Sequence, residues 1–241
     1  LREAEFLAKL SHKNILKLEG FAEDASENVI WLIFPWEANG TLKDFVASYE
    51  WEIPEHLSLI YEVASGVEYL HSRTPPICHG DLKSINILVN SKCIAVITDF
   101  GSAHYPVAKT THSPSTNTIT LTCNHYTLRW AAPELLADDG AGLPSDIWAF
   151  GCVIYEVMTN SIPFQNVLRD AAVIVRVVRG DLPSISSETR MLLMQALCSL
   201  VGRCWKMDPS ERATAEDCRK TIEWMVSRAW LVVFSPQFNR F

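Results

Sequence analysis

The spacing of apolar residues predicts a short mixed segment at the start of the chain. In residues 1–10 they recur at every third position, which predicts an amphipathic helix. Two apolar runs, 15–21 and 29–36, are rich in β-branched and aromatic residues and are bounded by polar turns, so each predicts a strand. The dipeptide Asn39-Gly40 indicates a turn, after which the period changes to that of helices.

Helical periodicity dominates from about Thr41 onward. A stripe of apolar residues predicts a long helix at 55–72. The same criteria predict further elements, which are helices near 144–160, 170–179, 188–205 and 214–227 and strands at 87–89 and 94–97. The last helix begins with Thr214 and Asp217 at the spacing of a capping box. Residues 108–125 contain six Thr and two Ser, which predicts a polar loop.

These elements divide the chain into parts of unequal size. Residues 1–34 form a small segment with a helix and strands, 35–40 form a hinge, and 41–228 form a larger, mainly helical part. The apolar residues 229–241 are predicted to be a C-terminal tail. The expected architecture is therefore α+β, with two lobes and a cleft between them, which is a common place for a ligand site.

Composition excludes several classes of protein. Hydrophobic residues make up 48% of the 241 residues and charged residues 20%, so the chain can form a large core. The formal net charge of −7 provides no cationic excess for binding nucleic acid or an anionic membrane, and no apolar run is long enough to span a bilayer. The seven cysteines are odd in number and form no CxxC pair, which favours a reducing, intracellular and cytoplasmic location.

Four short motifs follow one another in a fixed order: HGDLKSIN at 79–86, DFG at 99–101, APE at 132–134 and SDIWAFG at 145–151. The ordered set resembles the signature of protein kinases, and the string CWKMDPSERAT at 204–214 extends the resemblance to most of the chain. The resemblance implies a two-lobed kinase fold with a truncated N-lobe, and ATP with Mg²⁺ as cofactors. It implies protein substrates and specifies no oligomeric state.

The resemblance assigns catalytic roles to residues of the first two motifs. Phosphoryl transfer depends on positioning and on neutralising charge, so carboxylate and amide oxygens that hold magnesium are the expected residue types. Asp81 would accept a hydrogen bond from the attacking hydroxyl and take its proton, and Lys83 would neutralise the transferred phosphoryl group. Asn86 and Asp99 would bind magnesium.

The same resemblance assigns nucleotide-binding residues, which are Glu3, Phe34, Pro35, Glu37, Asp44 and Leu88. Phe34 matches the gatekeeper position. The hinge would bind adenine through the carbonyl of Pro35 and the N–H of Glu37, since proline has no N–H of its own. Asp44 matches the residue near the ribose, and Glu3 matches the glutamate of the helix behind the active site.

Structural roles are also implied by the resemblance. Leu7, Leu18, His79 and Phe100 match an apolar spine held by Asp146. His79 is therefore predicted to be a packed core residue and not a base or ligand. Glu134 and Arg212 match a buried ion pair. Removing one partner would lower the free energy of unfolding by about 3–5 kcal/mol.

Substrate class follows from the same comparison of motifs. Lys83 and Thr127 resemble the corresponding residues of serine/threonine kinases, whereas the strings LRWAAPE and CWKMDP resemble the tyrosine-kinase-like group within them. The sequence favours serine/threonine specificity and leaves tyrosine as an alternative.

One departure from the kinase pattern concerns regulation. Gly80 stands where the family has an arginine that binds a phosphate on the activation loop. The sequence therefore predicts that phosphorylation of the loop at 108–125 does not switch this protein through that pocket.

A second departure concerns nucleotide binding. The sequence has no glycine-rich loop and no strand lysine before the first helix, and its only GxG, Gly140-Ala141-Gly142, follows APE. Loss of one comparable electrostatic contact costs about 10²–10³ in rate, so weak or no activity is expected of this chain. Because the first residue is Leu1 and not Met, one interpretation is a piece of a longer kinase. The alternative is a kinase-like binding scaffold, and a small-molecule phosphotransferase is disfavoured by APE and Arg212.

Overall fold

The computed structural model describes residues 2–24, 26–27, 29–49, 51–106, 127–136, 141–183 and 192–233. They form a mixed α+β fold that is mostly helical, and its strands are short. The helices are α1 (Arg2–Leu7), α2 (Leu42–Ala47), α3 (Ile53–His71), α4 (Pro133–Leu136), α5 (Leu143–Thr159), α6 (Asp170–Val178), α7 (Leu192–Cys204) and α8 (Ala215–Val233). The strands are β1 (Gly20–Asp24), β2 (Val29–Ile33), β3 (Ile87–Val89) and β4 (Ala95–Ile97).

The core is centred on α5. Every residue of this helix from Ser145 to Val157 is buried, as expected of a helix that is apolar on all sides. Helices α2, α3 and α7 pack against it, and α8 packs along α3. The helical part predicted from periodicity therefore forms one continuous core.

The β1–β2 hairpin is built differently. Its strands are antiparallel, with Gly20 opposite Ile33 and Asp24 opposite Val29. No residue of either strand is fully buried, and Phe21 and Trp31 are exposed. The strand predicted at 29–36 ends at Ile33 because Pro35 cannot donate to a ladder.

The strand predicted at 15–21 is wrong in its position, since β1 begins only at Gly20. The first apolar residues of that run bond to β4 instead. Leu16 N–H donates to Ile97 O at 2.8 Å, and Ile97 N–H donates to Asn14 O at 2.9 Å. Asn14 is fully buried and its side-chain amide also donates to Ala95 O at 2.9 Å. This segment therefore ties the start of the chain to β4.

Strands β3 and β4 form the predicted pair and lie beside the hinge. Ile87 is opposite Ile97 in an antiparallel register. Val89 exchanges backbone hydrogen bonds with the hinge, accepting from Asn39 N–H at 3.2 Å and donating to Gly40 O at 2.9 Å. The hinge backbone is thus held against β3.

Other predicted boundaries differ slightly. Helix α1 ends at Leu7, short of residue 10, and α8 continues to Val233, beyond the predicted end at 227. The predicted capping box is confirmed, because Thr214 Oγ1 accepts from Asp217 N–H at 3.1 Å and Asp217 Oδ2 accepts from Thr214 N–H at 3.1 Å. The loop at 108–125 and most of the tail lie outside the described residues.

Within the described ranges, no helix is both long and apolar enough to cross a membrane.

Candidate active site

The 79–86 loop is fixed to α5 by a buried carboxylate, Asp146. Its oxygens accept from His79 N–H at 2.8 Å and from Gly80 N–H at 2.9 Å, and His71 Nε2 lies 2.9 Å from Oδ2. Burial alone raises the pKa of Asp146, but the hydrogen bond and charge of His71 together with the loop N–H groups hold it below its usual value. The predicted role of Asp146 in holding this part of the core is confirmed.

His79 is a packed core residue, as predicted. Its ring is fully buried and lies edge-on to Phe100 with 5.0 Å between centroids. Nδ1 accepts from Asp81 N–H at 3.3 Å, so Nε2 carries the proton and donates to Thr98 O at 2.9 Å. Both ring nitrogens face backbone groups, so the His79 ring is part of the core and is not directed at a ligand.

Asp81, Lys83 and Asn86 meet in one cluster. Lys83 Nζ donates to Asp81 Oδ2 at 2.7 Å, and Asn86 Nδ2 donates to the same oxygen at 3.0 Å and to Asp81 O at 2.9 Å. The other oxygen, Asp81 Oδ1, is buried and has no hydrogen-bond partner within the described residues. A fixed carboxylate with one unpartnered oxygen is suited to accept a hydrogen bond from a substrate hydroxyl.

Asp99 follows β4 in a left-handed backbone conformation, with φ of 62°. It is exposed, and Gly101 N–H lies 3.4 Å from its Oδ1. The preceding residue, Thr98, donates its N–H to Asn86 O at 3.0 Å, so the backbone links the two residues predicted to bind magnesium.

The donor chemistry fits magnesium bound with a nucleotide. Asn86 donates both of its side-chain hydrogen bonds to Asp81 through Nδ2, so its amide oxygen faces no Asp81 acceptor and can bind a cation. The described residues contain no cluster of three or more His, Cys, Asp or Glu side chains that could hold a metal. Magnesium commonly takes only one or two protein oxygens together with phosphate oxygens, so Asn86 and Asp99 match this pattern.

Two of the residues predicted to bind the nucleotide, Leu88 and Asp44, contact Thr41. Leu88 forms an isolated bridge with Thr41, and Asp44 Oδ2 accepts from Thr41 Oγ1 at 2.7 Å. Phe34 packs against the core, whereas Pro35 is exposed. Pro35 belongs to the hinge, Asp44 lies in the first turn of α2, and Leu88 lies in β3.

Two further residues predicted to bind the nucleotide, Glu37 and Glu3, form no side-chain hydrogen bond with Asp44 or Leu88 within the described residues. The carbonyl of Glu37 accepts from Gly40 N–H at 3.2 Å within the hinge turn. Glu3 is half-buried on α1, and its side chain forms no hydrogen bond or ion pair with the described residues. Helix α1 does contact the turn at 100–102 that follows Asp99.

The predicted ion pair between Glu134 and Arg212 is confirmed. Arg212 Nη1 and Nη2 donate to Glu134 Oε1 at 2.6 Å and Oε2 at 2.7 Å, and both side chains are buried. Burial raises the pKa of Glu134, but the hydrogen bonds and charge of Arg212 outweigh it and hold the pKa below the usual value. This pair joins α4 to the segment before α8.

Sequence reasoning missed Glu156, which lies on α5 beside the cluster. This buried carboxylate accepts hydrogen bonds from Ser84 and Trp130. Its signal in the sequence is its position as the one charged residue in the apolar run from Ile147 to Met158.

Comparison with known proteins decides the family. Residues 1–225 match the protein kinase domain. This chain belongs to the protein kinase family. The match spans both the 79–86 loop and the Glu134–Arg212 pair, so the resemblance found in the motifs holds for most of the chain.

Relatives of this kinase domain are distant. It is 30% identical over 237 residues to the probable serine/threonine-protein kinase drkD of Dictyostelium discoideum, covering 94% of this chain and 16% of that protein. It is 28% identical over 224 residues to mitogen-activated protein kinase kinase kinase zak-1 of Caenorhabditis elegans, covering 88% and 28%. It is 29% identical over 265 residues to the probable serine/threonine-protein kinase PBL28 of Arabidopsis thaliana, covering 99% and 67%. The chain thus spans a small part of the first two relatives.

Proposed function

We propose that this kinase domain transfers the γ-phosphate of ATP to serine or threonine hydroxyls of protein substrates. The observation that carries the proposal is the Asp81 carboxylate, which Lys83 and Asn86 fix through Oδ2 while Oδ1 is buried and has no hydrogen-bond partner among the described residues. An acceptor held in one orientation can align a substrate hydroxyl and take its proton.

Each residue has a distinct task in this proposal. Bound Mg²⁺–ATP supplies the transferable phosphoryl group and cations that neutralise its charge. Asp81 Oδ1 accepts the hydrogen bond of the substrate hydroxyl and later its proton, and Lys83 lies beside it as a positive charge. Asn86 and Asp99 hold magnesium through their side-chain oxygens. The hinge binds adenine, and Phe34, Asp44 and Leu88 border the base and ribose.

Serine/threonine specificity and the tyrosine-kinase-like group belong to this proposal. Lys83 two residues after Asp81 is the pattern that the sequence shares with serine/threonine kinases. The names of the relatives from Dictyostelium and Arabidopsis, both serine/threonine kinases, support the same class. A two-lobed arrangement, with the hairpin on one side of the hinge and the helical core on the other, also belongs to the proposal.

The first test measures ligand binding through thermal stability. ATP with Mg²⁺ should raise the unfolding midpoint, because a ligand bound only by the folded state stabilises it. Asp99→Asn should remove the magnesium-dependent part of the shift. Asp24→Asn, which changes an exposed carboxylate on the hairpin, is the matched control and should leave the shift intact.

The second test measures phosphate transfer to a mixed set of serine, threonine and tyrosine peptides. Asp81→Asn should lower the rate by about 10²-fold or more while nucleotide binding persists. Transfer to tyrosine peptides alone would contradict the proposed specificity. Nucleotide binding without any transfer would contradict the proposed reaction.

A binding scaffold without phosphotransfer is the second candidate function. On this hypothesis neither the chain nor its Asp99→Asn variant shows a magnesium-dependent shift. That result would favour the scaffold over the enzyme.

A further inference from the structure

Glu156 lies in the buried core directly behind the 79–86 loop. Its Oε1 accepts from Ser84 Oγ at 2.5 Å, and its Oε2 accepts from Ser84 N–H at 3.1 Å and from Trp130 Nε1 at 2.8 Å. The residue is only 6% exposed. All three hydrogen bonds come from neutral donors, and among the described residues Glu156 forms no ion pair at hydrogen-bond distance.

Such a carboxylate is costly to bury. Burial raises the pKa of Glu156, and the hydrogen bonds from Ser84 and Trp130 and the charge of Lys43 only partly offset that effect. A core position that served only packing would be more stable with an apolar residue. The retained carboxylate therefore suggests a task set by its hydrogen bonds.

The position of Ser84 shows what those hydrogen bonds control. Ser84 lies between Lys83 and Asn86, the two residues whose side chains fix Asp81. Both the backbone N–H and the hydroxyl of Ser84 are held by the one carboxylate. The backbone that carries Lys83 and Asn86 is thereby attached to α5, independently of the attachment of His79 and Gly80 to Asp146.

The second partner, Trp130, connects the same carboxylate to the segment at 127–130. The neighbouring residue Arg129 donates to Phe164 O at 2.7 Å and to Val167 O at 2.8 Å. This segment, which precedes APE, is thus held by Glu156 on one side and by the backbone at 164–167 on the other. Glu156 therefore forms hydrogen bonds with both the 79–86 loop and the 127–130 segment.

We propose that Glu156 is a positioning residue for phosphotransfer, which fixes the backbone at Ser84 and couples it to the 127–130 segment. The inference rests on the proposed function. It places no group on the substrate, because Glu156 acts through Ser84 and Trp130. A small cavity of about 30 Å³, lined by Lys43, Ser84 and Glu156 among others, leaves room for a water molecule beside the carboxylate.

Glutamine at this position provides a conservative variant. Its amide oxygen can take the place of Oε2 and accept from Ser84 N–H and Trp130 Nε1. Its amide nitrogen can take the place of Oε1 and donate to Ser84 Oγ, because a hydroxyl also accepts. Glu156→Gln therefore keeps the whole set of hydrogen bonds, whereas Glu156→Ala removes all of them.

The kinetic experiment compares these variants in a phosphotransfer assay. Glu156→Ala should lower kcat by about 10–10²-fold with KM for ATP little changed, since a small displacement of catalytic groups has effects of that size. Ser84→Ala should lower kcat by about fivefold, the effect of one hydrogen bond. Glu156→Gln should retain activity to within about threefold. Wild-type kcat in Glu156→Ala, or a Glu156→Gln variant as impaired as Glu156→Ala, would overturn the inference.

Glu62→Ala is the matched control. Glu62 is a partly buried carboxylate on α3 that accepts a backbone N–H, from Ala95 at 2.6 Å, and burial raises its pKa as it does for Glu156. Its hydrogen bond is to β4, and among the described residues no hydrogen bond links it to the 79–86 loop. Its removal should lower stability while kcat remains close to wild type; an equal loss of kcat in both variants would mean that Glu156 has only a general structural role.

Amide hydrogen exchange separates this inference from the proposed function. In Glu156→Ala the Ser84 amide should exchange at least about tenfold faster, and in Glu156→Gln it should remain protected. If the wild-type chain transfers no phosphate, the proposed function fails, and the exchange result alone decides whether Glu156 fixes the loop. Unchanged exchange in Glu156→Ala would overturn the inference in either case.

Discussion

Helix α5 is buried from Ser145 to Val157, whereas no residue of strands β1 and β2 is fully buried and Phe21 and Trp31 are exposed. Two buried carboxylates on α5, Asp146 and Glu156, hold the backbone of the 79–86 loop. The hairpin leads directly into the hinge at 35–40. The residues proposed for proton acceptance are therefore held by the core, while those proposed for adenine binding depend on a much less buried element.

The strongest test of this difference is Asp146→Ala. The change leaves the N–H groups of His79 and Gly80 without an acceptor in the core, and loss of one partner in a buried charged network costs about 3–5 kcal/mol. Urea unfolding would measure the change. Asp24→Ala is the counterpart on the hairpin, where the carboxylate also accepts hydrogen bonds but is exposed, and its effect should be much smaller. Equal effects would remove the distinction between the two regions.

A second test compares two glycines with positive φ. Gly80 has φ of 79°, and a Cβ there would lie 2.8 Å from the backbone oxygen of Ser102. Gly40 in the hinge has φ of 69° but nothing within 4 Å of the same position. Gly40→Ala should cost about 1–2 kcal/mol from backbone strain alone, and Gly80→Ala should cost about 1–3 kcal/mol more because of the clash.

Gly80→Arg extends that experiment to regulation. The crowded position accepts no side chain without a backbone shift, so restoring an arginine should destabilise the loop and should not create a phosphate-binding pocket. Phosphate-dependent activity in Gly80→Arg at unchanged stability would contradict this interpretation. Chemical denaturation and an assay with and without an activating kinase would measure both properties.

A third test separates two carboxylates of the buried region by the sign of their pH dependence. The pKa of Glu134 is lowered, so its stabilisation is present above the usual glutamate value of 4.5 and is lost as pH falls through the lowered pKa. The pKa of Glu156 is raised, so its contribution is present below the usual value and is lost as pH rises through the raised pKa. The measurement is the free energy of unfolding as a function of pH. Glu134→Gln should reduce the loss of stability as pH falls below about 4.5, and Glu156→Gln should reduce the loss of stability as pH rises above about 4.5. The same sign for both variants would contradict the assignment.

The smallest effect is expected for Trp36→Ala at the hinge. Its side chain is 91% exposed, so the free energy of unfolding should change by no more than about 0.5 kcal/mol. Trp148 on α5 is 1% exposed, and Trp148→Ala should cost about 3–5 kcal/mol. A large loss in Trp36→Ala would mean that the hinge region is more closely packed than its exposure indicates.

Elements defined by local pattern could be predicted from the sequence, and those defined by distant partners could not. Helices α3 and α5 differ from their predicted ranges by only one or two residues, because their apolar periodicity is complete within each helix. The strand predicted at 15–21 was misplaced because Ile15 and Leu16 belong with β4. Nothing near these two residues in the chain signals that partner.

The candidate site shows the same limit. Its motifs located Asp81, Lys83, Asn86 and Asp99, since these residues occur in short strings with fixed spacing. Glu156 could be noticed only as a charged residue in an apolar helix. Its function depends on Ser84 and Trp130, which are 72 and 26 residues away in the chain, and only the folded structure brings them together.

The bonds between the 14–16 segment and β4 also have a consequence for synthesis on the ribosome. The acceptor of the Asn14 side-chain amide, Ala95 O, is synthesised 81 residues after Asn14. At about 5–20 residues per second, that interval is about 4–16 seconds. During that time the 14–16 segment and the apolar residues near it have no β4 to pack against. We therefore expect the nascent chain to bind chaperones that recognise exposed apolar segments.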